Sequence, residues 1–422
     1  MTRLAIIGTG IAGMGCAHFL HARRDLTVFE QNDYVGGHTN TVTIDTPQAP
    51  VPVDTGFMVY NEVTYPNLTR LFKDLGVAVK PTNMSFSVQH LPTGLEFCGS
   101  SLNHLFAQRR NLFRPRFWKM LSQINRFNTE AVETLKTTGN DARSVAQYVR
   151  EKQYGDDFLN FYLVPMSSAV WSTPPELMLE FPAITLLRFF HNHGFLGLHT
   201  QHPWLTVVNG AKAYVAKITA PFRDRVCLQR KAVSVLRENN RVRVIAEDGT
   251  SETFDQVIFA CHGDQALGLL ADASAQERRL LGAFQYQPNL ATLHTDASVM
   301  PKTKLCWASW NYRIAQDAAG KPSPSTIYWM NRLQGIPGPQ NYFVSINGAE
   351  SIHPDRVLKR IHYEHPLFNL EAIRAQKELP ALNERQTNVF FCGSYFKYGF
   401  HEDAFTSALE LCRTILRERI WA

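Results

Sequence analysis

Leu4-Ala5-Ile6-Ile7 runs directly into Gly8-Thr9-Gly10-Ile11-Ala12-Gly13, and a small, apolar, helix-like segment follows as far as Leu20. A second strand-like run, Leu26-Thr27-Val28-Phe29, ends on the acid Glu30. Strand, glycine turn, helix and strand are the parts of a dinucleotide-binding unit. Its glycines permit the tight turn, the approach of backbone amides to a pyrophosphate, and close packing of helix on strand. Because an acid at the tip of the second strand accepts hydrogen bonds from a ribose, the stretch predicts a dinucleotide site at Gly8, Gly10, Ala12, Gly13 and Glu30.

The residues after Glu30 indicate which dinucleotide binds. The chain continues Gln31-Asn32-Asp33-Tyr34-Val35-Gly36-Gly37-His38. This spacing resembles the amine oxidase-like flavoprotein superfamily, which includes protoporphyrinogen oxidases and phytoene desaturases and places a glycine doublet at this distance after the acid. The resemblance implies that the cofactor is FAD and that Gln31, Gly36, Gly37 and His38 contact it. Many relatives carry Arg or Lys at the position of His38.

A second segment that resembles the superfamily is Val51-Pro52-Val53-Asp54-Thr55-Gly56-Phe57. In relatives a D/E-x-G sequence near this point brings the backbone close to the flavin, so the resemblance implies cofactor contacts from Asp54, Gly56 and Phe57. From the residues alone, a turn aspartate followed by a glycine with positive φ is the alternative. The resemblance also implies a backbone contact to the adenine ring from Val226 or Val233.

A third segment that resembles the superfamily lies near the C-terminus and begins Val389-Phe390-Phe391-Cys392-Gly393-Ser394. It continues through Tyr395 to His401-Glu402-Asp403-Ala404, and a helix is predicted over Thr406 to Arg417. The resemblance implies that Gly393 and Ser394 lie beside the ribityl chain, and that Asp403 and Ala404 lie at a helix start facing the pyrimidine end of the flavin. Backbone amides at a helix N-terminus favour negative charge there. Relatives usually have an acid at the position of Ser394.

A chain of 422 residues is longer than one compact core usually holds. The resemblance implies an α/β fold, in which a Rossmann-like split FAD-binding domain carries a second, inserted α+β substrate domain. The FAD-binding domain is expected at 1–60, 205–264 and 385–422, and the substrate domain at 61–204 and 265–384.

Composition is that of an ordinary globular chain, with 45% hydrophobic and 19% charged residues. The seven cysteines are odd in number and scattered without a CxxC pair, which argues against a disulfide framework or a structural zinc site. Because the uncharged run from Leu4 to Leu20 has β-turn-α order, it is assigned to the fold rather than to a signal peptide. We expect a cytoplasmic protein without a transmembrane span or a bound metal.

The segment from Phe97 to Thr129 contains no Asp or Glu and carries six cations: Arg109, Arg110, Arg114, Arg116, Lys119 and Arg126. They alternate with the aromatic residues Phe106, Phe113, Phe117 and Trp118. This composition indicates either a solvated basic helix face or a segment that contacts anionic lipid peripherally, on the inner face of the membrane. Nucleic acid is not expected as a partner, because one basic stretch does not make a nucleic-acid module. The oligomeric state is left open.

The candidate catalytic residues are His193, Lys304, Trp307 and Tyr395. His193 belongs to a group with His191, His199 and His202, for which a polar or substrate-pocket role is favoured over metal binding because no carboxylate or cysteine lies among them. In amine oxidases a lysine beside the flavin relays a proton, and Lys302 or Lys304 lies in a comparable region. Trp307 belongs to aromatic segments at 304–312, 326–330 and 342–346 that either fill a sheet or wall an apolar pocket.

The resemblance implies hydride transfer from a C–H bond of an apolar substrate, an acyl lipid or an amine, to flavin N5, forming C=C or C=N. Within the superfamily the similarity is to bacterial flavoproteins linked to modification of unsaturated acyl lipids, through Asp54 to Phe57, Asn192-His193-Gly194, Trp307 to Tyr312 and His401 to Ala404. A redox-neutral flavin isomerase and a non-enzymatic FAD-binding regulator are the alternatives. The sequence has no second GxGxxG, so oxygen or a quinone is expected to reoxidise the flavin.

Overall fold

The computed structural model describes residues 1–137, 143–197, 200–317, 319–384 and 387–421. Three predictions touch positions outside these ranges: the histidine group at His199, the helix that the sequence predicts from Ala142 to Trp171 with a break at Pro165, and the domain boundary at 385. In the described part of the chain, no helix combines the length and the hydropathy that crossing a membrane requires.

The strands, in chain order, are β1 (Arg3–Ile7), β2 (Asp25–Phe29), β3 (Thr41–Ile44), β4 (Val51–Asp54), β5 (Val79–Thr82), β6 (Phe86–His90), β7 (Leu95–Cys98), β8 (Trp204–Val207), β9 (Val226–Cys227), β10 (Ala232–Glu238), β11 (Arg241–Ala246), β12 (Ser251–Phe254), β13 (Gln256–Phe259), β14 (Gln285–His294), β15 (Trp310–Gln316), β16 (Pro322–Trp329), β17 (Phe343–Ile346), β18 (Val357–Leu367) and β19 (Val389–Phe391).

The α-helices are α1 (Ile11–Leu20), α2 (Pro66–Asp74), α3 (Leu102–Leu105), α4 (Pro115–Thr137), α5 (Val145–Glu151), α6 (Asp156–Phe158), α7 (Val164–Trp171), α8 (Pro175–Leu179), α9 (Ala183–Asn192), α10 (Lys212–Thr219), α11 (Gly263–Leu269), α12 (Ala275–Leu281), α13 (Met330–Leu333), α14 (Leu370–Gln376), α15 (Ala381–Glu384) and α16 (His401–Leu416).

A five-stranded parallel sheet has the strand order β19-β13-β1-β2-β9. Its strands come from the beginning, the middle and the end of the chain. Strand β1 reads as a continuous apolar run because it lies inside the sheet, where Leu4, Ala5 and Ile6 are fully buried between the two faces. Helices α1 and α16 pack against each other beside this sheet.

A second, seven-stranded sheet has the order β18-β14-β17-β16-β15-β6-β7. Neighbouring strands run antiparallel except β15 and β6, which are parallel. Strands β6 and β7 come from the region before β8, and the other five come from the region after β13. A parallel sheet with helices and a mixed sheet contributed by other segments confirm the predicted fold class.

Two elements differ from their predicted bounds. Helix α16 begins at His401 rather than at Thr406, because Asp403 Oδ2 accepts a hydrogen bond of 2.9 Å from the Phe400 amide and caps an earlier start. In the stretch predicted as helical up to Trp171, the break lies between α5 and α6 rather than at Pro165. A π-helical turn, Leu159–Leu163, precedes Pro165 and accommodates a proline within a continuing helix.

Candidate active site

A cavity of about 1310 Å³ lies between the carboxyl ends of the parallel strands and the seven-stranded sheet. Small-molecule sites usually occupy about 300–1000 Å³, so this cavity has room for a cofactor and a substrate together. One end is lined by the turn after β1 and by Phe29 and Glu30 at the tip of β2. The other end is lined by residues of α4, α9 and strands β6, β7, β15 and β16 of that sheet.

The glycine turn gives each of its three glycines a different environment. Gly8 has φ of +100°, which a residue with a side chain rarely adopts. A Cβ at Gly13 would lie 1.9 Å from the Gly8 carbonyl oxygen, so only glycine lets α1 pack this closely on β1. A Cβ at Gly10 would meet no atom within 4 Å, because it would project into the cavity. The open space at Gly10 fits a pyrophosphate approached by backbone amides.

Glu30 lines the cavity and is buried. Its Oε2 accepts hydrogen bonds from the Thr9 amide at 3.0 Å and from the Thr9 hydroxyl, and its Oε1 accepts from the Asn32 amide and side chain, both at 2.9 Å. These donors hold the carboxylate in one orientation in the cavity wall. A carboxylate offers about four acceptor positions, and these four donors already use them. A ribose hydroxyl that binds Glu30 would therefore take the place of the Thr9 hydroxyl or of the Asn32 side-chain amide.

The glycine doublet holds the next segment of the chain against the glycine turn. A Cβ at Gly36 would lie 2.5 Å from the Thr39 carbonyl oxygen, and one at Gly37 would lie 3.4 Å from Gly10 Cα. Gly36, Gly37 and the exposed Gln31 all line the cavity, as does Ala12 in the first turn of α1.

His38, the residue after the doublet, lies among aromatic rings. It stacks on Tyr363 at a centroid distance of 4.6 Å and lies 5.2 Å from His365 and 6.3 Å from His262. Burial and the neighbouring imidazoles lower the pKa of His38 well below its usual value. A neutral imidazole therefore stands where relatives place a cation. Among the described residues, the cationic side chains that line the cavity are Arg230 and Lys231. The Arg230 amide donates a hydrogen bond of 2.8 Å to the Glu30 carbonyl oxygen.

Asp54 does not line the cavity. Its carboxylate accepts hydrogen bonds from Thr41 Oγ1 at 2.5 Å, the Ala211 amide at 2.9 Å and Gln334 Nε2 at 2.7 Å. Burial raises the pKa of Asp54 to about 7 against these bonds. Asp54 therefore joins β4 to the start of α10 and to Gln334, and it does not face the cavity in which the sequence predicts a cofactor contact. Gly56 and Phe57 do line the cavity.

The C-terminal motif meets the cavity through Gly393, Ser394, Tyr395, His401 and Ala404. The ring of His401 stacks on Phe57 at 3.9 Å and its Nε2 lies 2.5 Å from the Tyr214 hydroxyl, so a fixed aromatic pair stands at the start of α16. Tyr395 is buried and packs on Phe284.

Asp403 lies behind the cavity wall rather than in it, because its carboxylate caps α16 on the Phe400 amide. Burial raises its pKa to about 7. Val233 also lies outside the cavity, with 40% of its surface exposed to solvent. Alternation along β10 turns Ala232 to the cavity instead. Val226 does not line it either.

Lys304 and Trp307 are displaced from the site. Lys304 is exposed, its Nζ lies 3.5 Å from the centre of the Trp307 ring, and neither residue lines the cavity. Trp307 packs instead in a separate core with Val299, Phe343 and Ile352. Lys302 is exposed as well. The predicted proton relay through a lysine therefore has no support in the geometry, whereas Trp310 and Tyr328 from the same aromatic segments do line the cavity.

His193 lies in the cavity wall at the end of α9. Its Nδ1 is 3.0 Å from the Phe189 carbonyl oxygen, and its ring stacks on the Phe189 ring at 3.9 Å. Because a carbonyl only accepts, Nδ1 carries the proton and Nε2 carries a lone pair. Burial lowers the pKa of His193 to about 4. The imidazole is thus neutral and held in one tautomer.

The other histidines of the predicted group do not join His193. His202 Nε2 lies 2.9 Å from the Asn192 carbonyl oxygen, and His191 is exposed. Within the described ranges, no three His, Cys, Asp or Glu side chains are placed to hold a metal ion.

Sequence reasoning missed several residues of the cavity wall. Thr9 and Asn32 orient Glu30, and Phe189 and Phe400 stack on each other at 4.8 Å beside His193. Thr9 stands between two motif glycines and could have been identified as a donor to Glu30. Phe189 could not have been identified in this way, because the sequence does not distinguish it from the other apolar residues of α9.

Comparison with known proteins shows which family the chain belongs to. A family profile described as flavin containing amine oxidoreductase matches residues 11–305, more than half of the chain. Among solved structures, the chain is similar to a CLA-producing fatty acid isomerase from P. acnes, at 14% identity and a TM-score of 0.69 over 99% of both chains.

Two oxidases are similar to the same extent. Wild-type putrescine oxidase bound to putrescine shares 13% identity, with a TM-score of 0.66 over 99% of both chains. Cyclohexylamine oxidase from Brevibacterium oxydans IH-35A shares 15% identity, with a TM-score of 0.66 over 99% of this chain and 100% of that one. These likenesses establish the fold, and the profile match establishes the family. The protein belongs to the flavin-containing amine oxidoreductase family and is an FAD-dependent oxidoreductase.

Proposed function

We propose that the protein removes hydrogen from an unsaturated acyl chain to form a further C=C bond. The observation that carries this proposal is the distribution of charge in the cavity. Histidines aside, the charged side chains among the described lining residues are Glu30, Arg230, Lys231 and Glu364. Arg230 and Lys231 lie at the Glu30 end, and Glu364 lies 3.4 Å from His262. The substrate end therefore suits a neutral, apolar chain.

An apolar arm extends the cavity between β6, β7 and α4. We define it by Phe86, Val88, Phe97, Leu105, Leu121, Ile124 and Phe161, which line the cavity and belong to one hydrophobic cluster. A hydrocarbon tail in this arm would leave water without placing any charge in the cluster. Burying hydrocarbon contributes about 0.8 kcal/mol per methylene, so the arm favours long chains.

When bound, FAD supplies a hydride acceptor at N5. The residues that would hold it are the glycine turn and Glu30 at the nucleotide end, and Gly56, Gly393 and Ala404 at the ring end. Phe57 and His401 fix one wall, and Phe189 and Phe400 another. Their close packing excludes water and positions the chain, which is the main contribution expected of the protein.

His193 is proposed as the proton acceptor. As a hydride leaves one carbon of the chain, the neighbouring carbon must lose a proton before a C=C bond can form. The neutral imidazole receives that proton at Nε2, so the substrate loses one hydride and one proton, and atoms and electrons balance. The Phe189 carbonyl then stabilises the charged ring, because its hydrogen bond to Nδ1–H is retained.

A redox-neutral isomerase remains a second candidate, and the structural similarity to a CLA-producing fatty acid isomerase supports considering it. An isomerase would move a double bond without changing the mass of the substrate and without consuming an electron acceptor. A regulator that only binds FAD would convert no substrate. Oxygen or a quinone is the proposed acceptor, and the proposed location is the inner face of the membrane, with peripheral contact.

Fatty-acid affinity is expected to rise with chain length. Each added methylene should lower the Kd about fourfold until the arm is full, because about 0.8 kcal/mol corresponds to about that ratio. The measurement is a titration of the purified flavoprotein with fatty acids of increasing length, followed by the shift in visible flavin absorbance.

Leu121→Trp should fill the arm and weaken long-chain binding at least tenfold while short acids bind as before. Leu177→Trp is the matched control, since Leu177 is 42% exposed and lies outside the cavity. Equal affinity for all lengths in the wild-type protein would contradict the assignment of the arm.

A further inference from the structure

The segment from α3 to the first turn of α4 exposes large apolar side chains to solvent. The exposed fraction is 86% for Phe113, 76% for Leu102, 50% for Trp118 and 42% for Leu112. Such side chains normally pack inside the protein, and a cluster of them on a surface marks a contact site. Phe106 and Phe117 of the same segment are 6% and 4% exposed, so they belong to the core and not to this surface.

These side chains lie on neighbouring short elements. Trp118 Nε1 donates a hydrogen bond of 2.9 Å to the Leu112 carbonyl oxygen, which joins the start of α4 to the 3-10 helix Arg109–Phe113. Helix α3 packs against the 3-10 helix Lys304–Cys306, whose Leu305 is 40% exposed. We call this surface the Phe113 face and define it by Leu102, Leu112, Phe113, Trp118 and Leu305.

The cations around the Phe113 face have no anionic partner within the described residues. Arg109, Arg110, Arg114 and Lys119 are exposed and form no salt bridge there. Arg109 and Arg110 donate instead to backbone carbonyl oxygens of Phe106 and Gly94.

Two other cations of the segment are already paired. Arg116 binds Asp157 at 2.5 Å, and Arg126 lies 3.5 Å from Glu130. The positive charge that remains without a partner is therefore concentrated beside the exposed apolar side chains.

The same segment forms a wall of the cavity. Leu105 of α3 and Leu121 and Ile124 of α4 line the apolar arm, and Gly99 and Ser100, just before α3, line the cavity as well. The elements that present the Phe113 face outward thus bound the substrate arm on their inner side. Helices α3 and α4 therefore lie between the Phe113 face and the apolar arm.

We propose that the Phe113 face docks on an anionic phospholipid bilayer and delivers acyl chains to the cavity between α3 and α4. Charge complementarity selects this partner: unpaired cations bind the headgroups while Phe113, Leu102 and Trp118 enter the apolar layer beneath them. The exposed residues of the Phe113 face are sufficient to argue for docking. The delivery step rests, in addition, on the proposed function. Each basic residue strengthens partitioning about fivefold, and the apolar side chains add binding that salt does not remove.

The test is flotation of the purified holoprotein with vesicles of phosphatidylcholine alone or of phosphatidylcholine mixed with phosphatidylglycerol, at low and high salt. The wild-type protein should float with the anionic vesicles, and high salt should release part of it. Changing Arg109, Arg110, Arg114 and Lys119 to glutamate should abolish flotation. Phe113→Ser should remove the salt-resistant fraction. Lys359→Glu with Arg360→Glu, and Leu358→Ser, alter exposed residues of β18 and serve as controls that float like the wild type.

Flotation equal to wild type after the fourfold charge reversal would overturn the proposal, as would no flotation of the wild-type protein. If the protein instead forms a dimer that Phe113→Ser dissociates, while vesicles are not bound, the Phe113 face is a contact between copies. Flotation requires no turnover, so its failure leaves the proposed oxidoreductase intact. Conversely, a protein that floats but converts no acyl substrate would overturn only the proposed function and the delivery step.

Discussion

Replacing Gly10 with valine is expected to give a folded, colourless protein. The wild-type protein should be yellow, and acid precipitation should release its FAD, because the proposed binding is noncovalent. A Cβ at Gly10 meets no protein atom within 4 Å, so the substitution does not disturb packing. Its methyl groups would occupy the space where the pyrophosphate approaches the backbone amides. Loss of nearly all bound flavin with an unchanged circular dichroism spectrum is the expected result.

Two further glycine variants provide controls. Gly10→Ala should lose less flavin than Gly10→Val, because it adds less volume to the cavity. Gly13→Val should fail to fold, since its Cβ would lie 1.9 Å from the Gly8 carbonyl oxygen. A yellow Gly10→Val protein with the flavin content of the wild type would contradict the position assigned to the pyrophosphate.

His193→Gln is expected to slow product formation by about 10²–10⁴-fold, the usual contribution of a positioned base. Glutamine can still donate to the Phe189 carbonyl, so the cavity wall should keep its shape. Fatty-acid binding, read from the shift in flavin absorbance, should therefore stay within a few-fold of the wild-type value. A rate within tenfold of wild type would contradict the role of His193 as proton acceptor.

The matched control is His202→Gln. His202 also hydrogen-bonds a backbone carbonyl oxygen near the end of α9, at Asn192, but it does not line the cavity. Its substitution should leave both the rate and the affinity unchanged. Impaired fatty-acid binding in His193→Gln, with a normal rate at saturation, would indicate that His193 shapes the pocket without accepting a proton.

The cofactor-binding elements were predictable because their signals are local. Strand β1, the glycine turn, α1 and β2 follow one another in the first thirty residues. Gly8 is required by its positive φ, and Gly13 is required by the Gly8 carbonyl oxygen of the same short unit. The strand β19, with Gly393 after it, was recognised in the same way. The start of α16 was predicted too late, because the cap that Asp403 forms on Phe400 resembles an ordinary polar turn in the sequence.

The substrate end was not predictable to the same degree, because tertiary contacts decide it. Asp54 is bound by Gln334, 280 positions away along the chain, so its structural role has no local signal. Trp307 and Trp310 are close in sequence, yet Trp307 packs in a separate core while Trp310, at the start of β15, lines the cavity. For Val233, the alternation of a strand was visible, but which face meets the cavity was not.

The basic, aromatic segment from Phe97 to Thr129 was also only partly predictable from sequence. Its composition predicted a basic, aromatic surface, and the sequence could not separate exposed from buried rings. The fold buries Phe117 against Phe97 and Phe106, and leaves Phe113 and Trp118 outside. It also pairs Arg116 with Asp157 and Arg126 with Glu130 of the same helix, which leaves fewer cations without an anionic partner.

The most direct test of the proposed function is to mix the purified flavoprotein with an unsaturated fatty acid in the absence of oxygen and any other acceptor. The visible flavin absorbance should bleach, and mass spectrometry should find up to one equivalent of a product two hydrogens lighter than the substrate. Admitting oxygen or a quinone should restore the colour and allow further turnover. A product of unchanged mass that accumulates beyond one equivalent without bleaching would contradict the account and identify an isomerase.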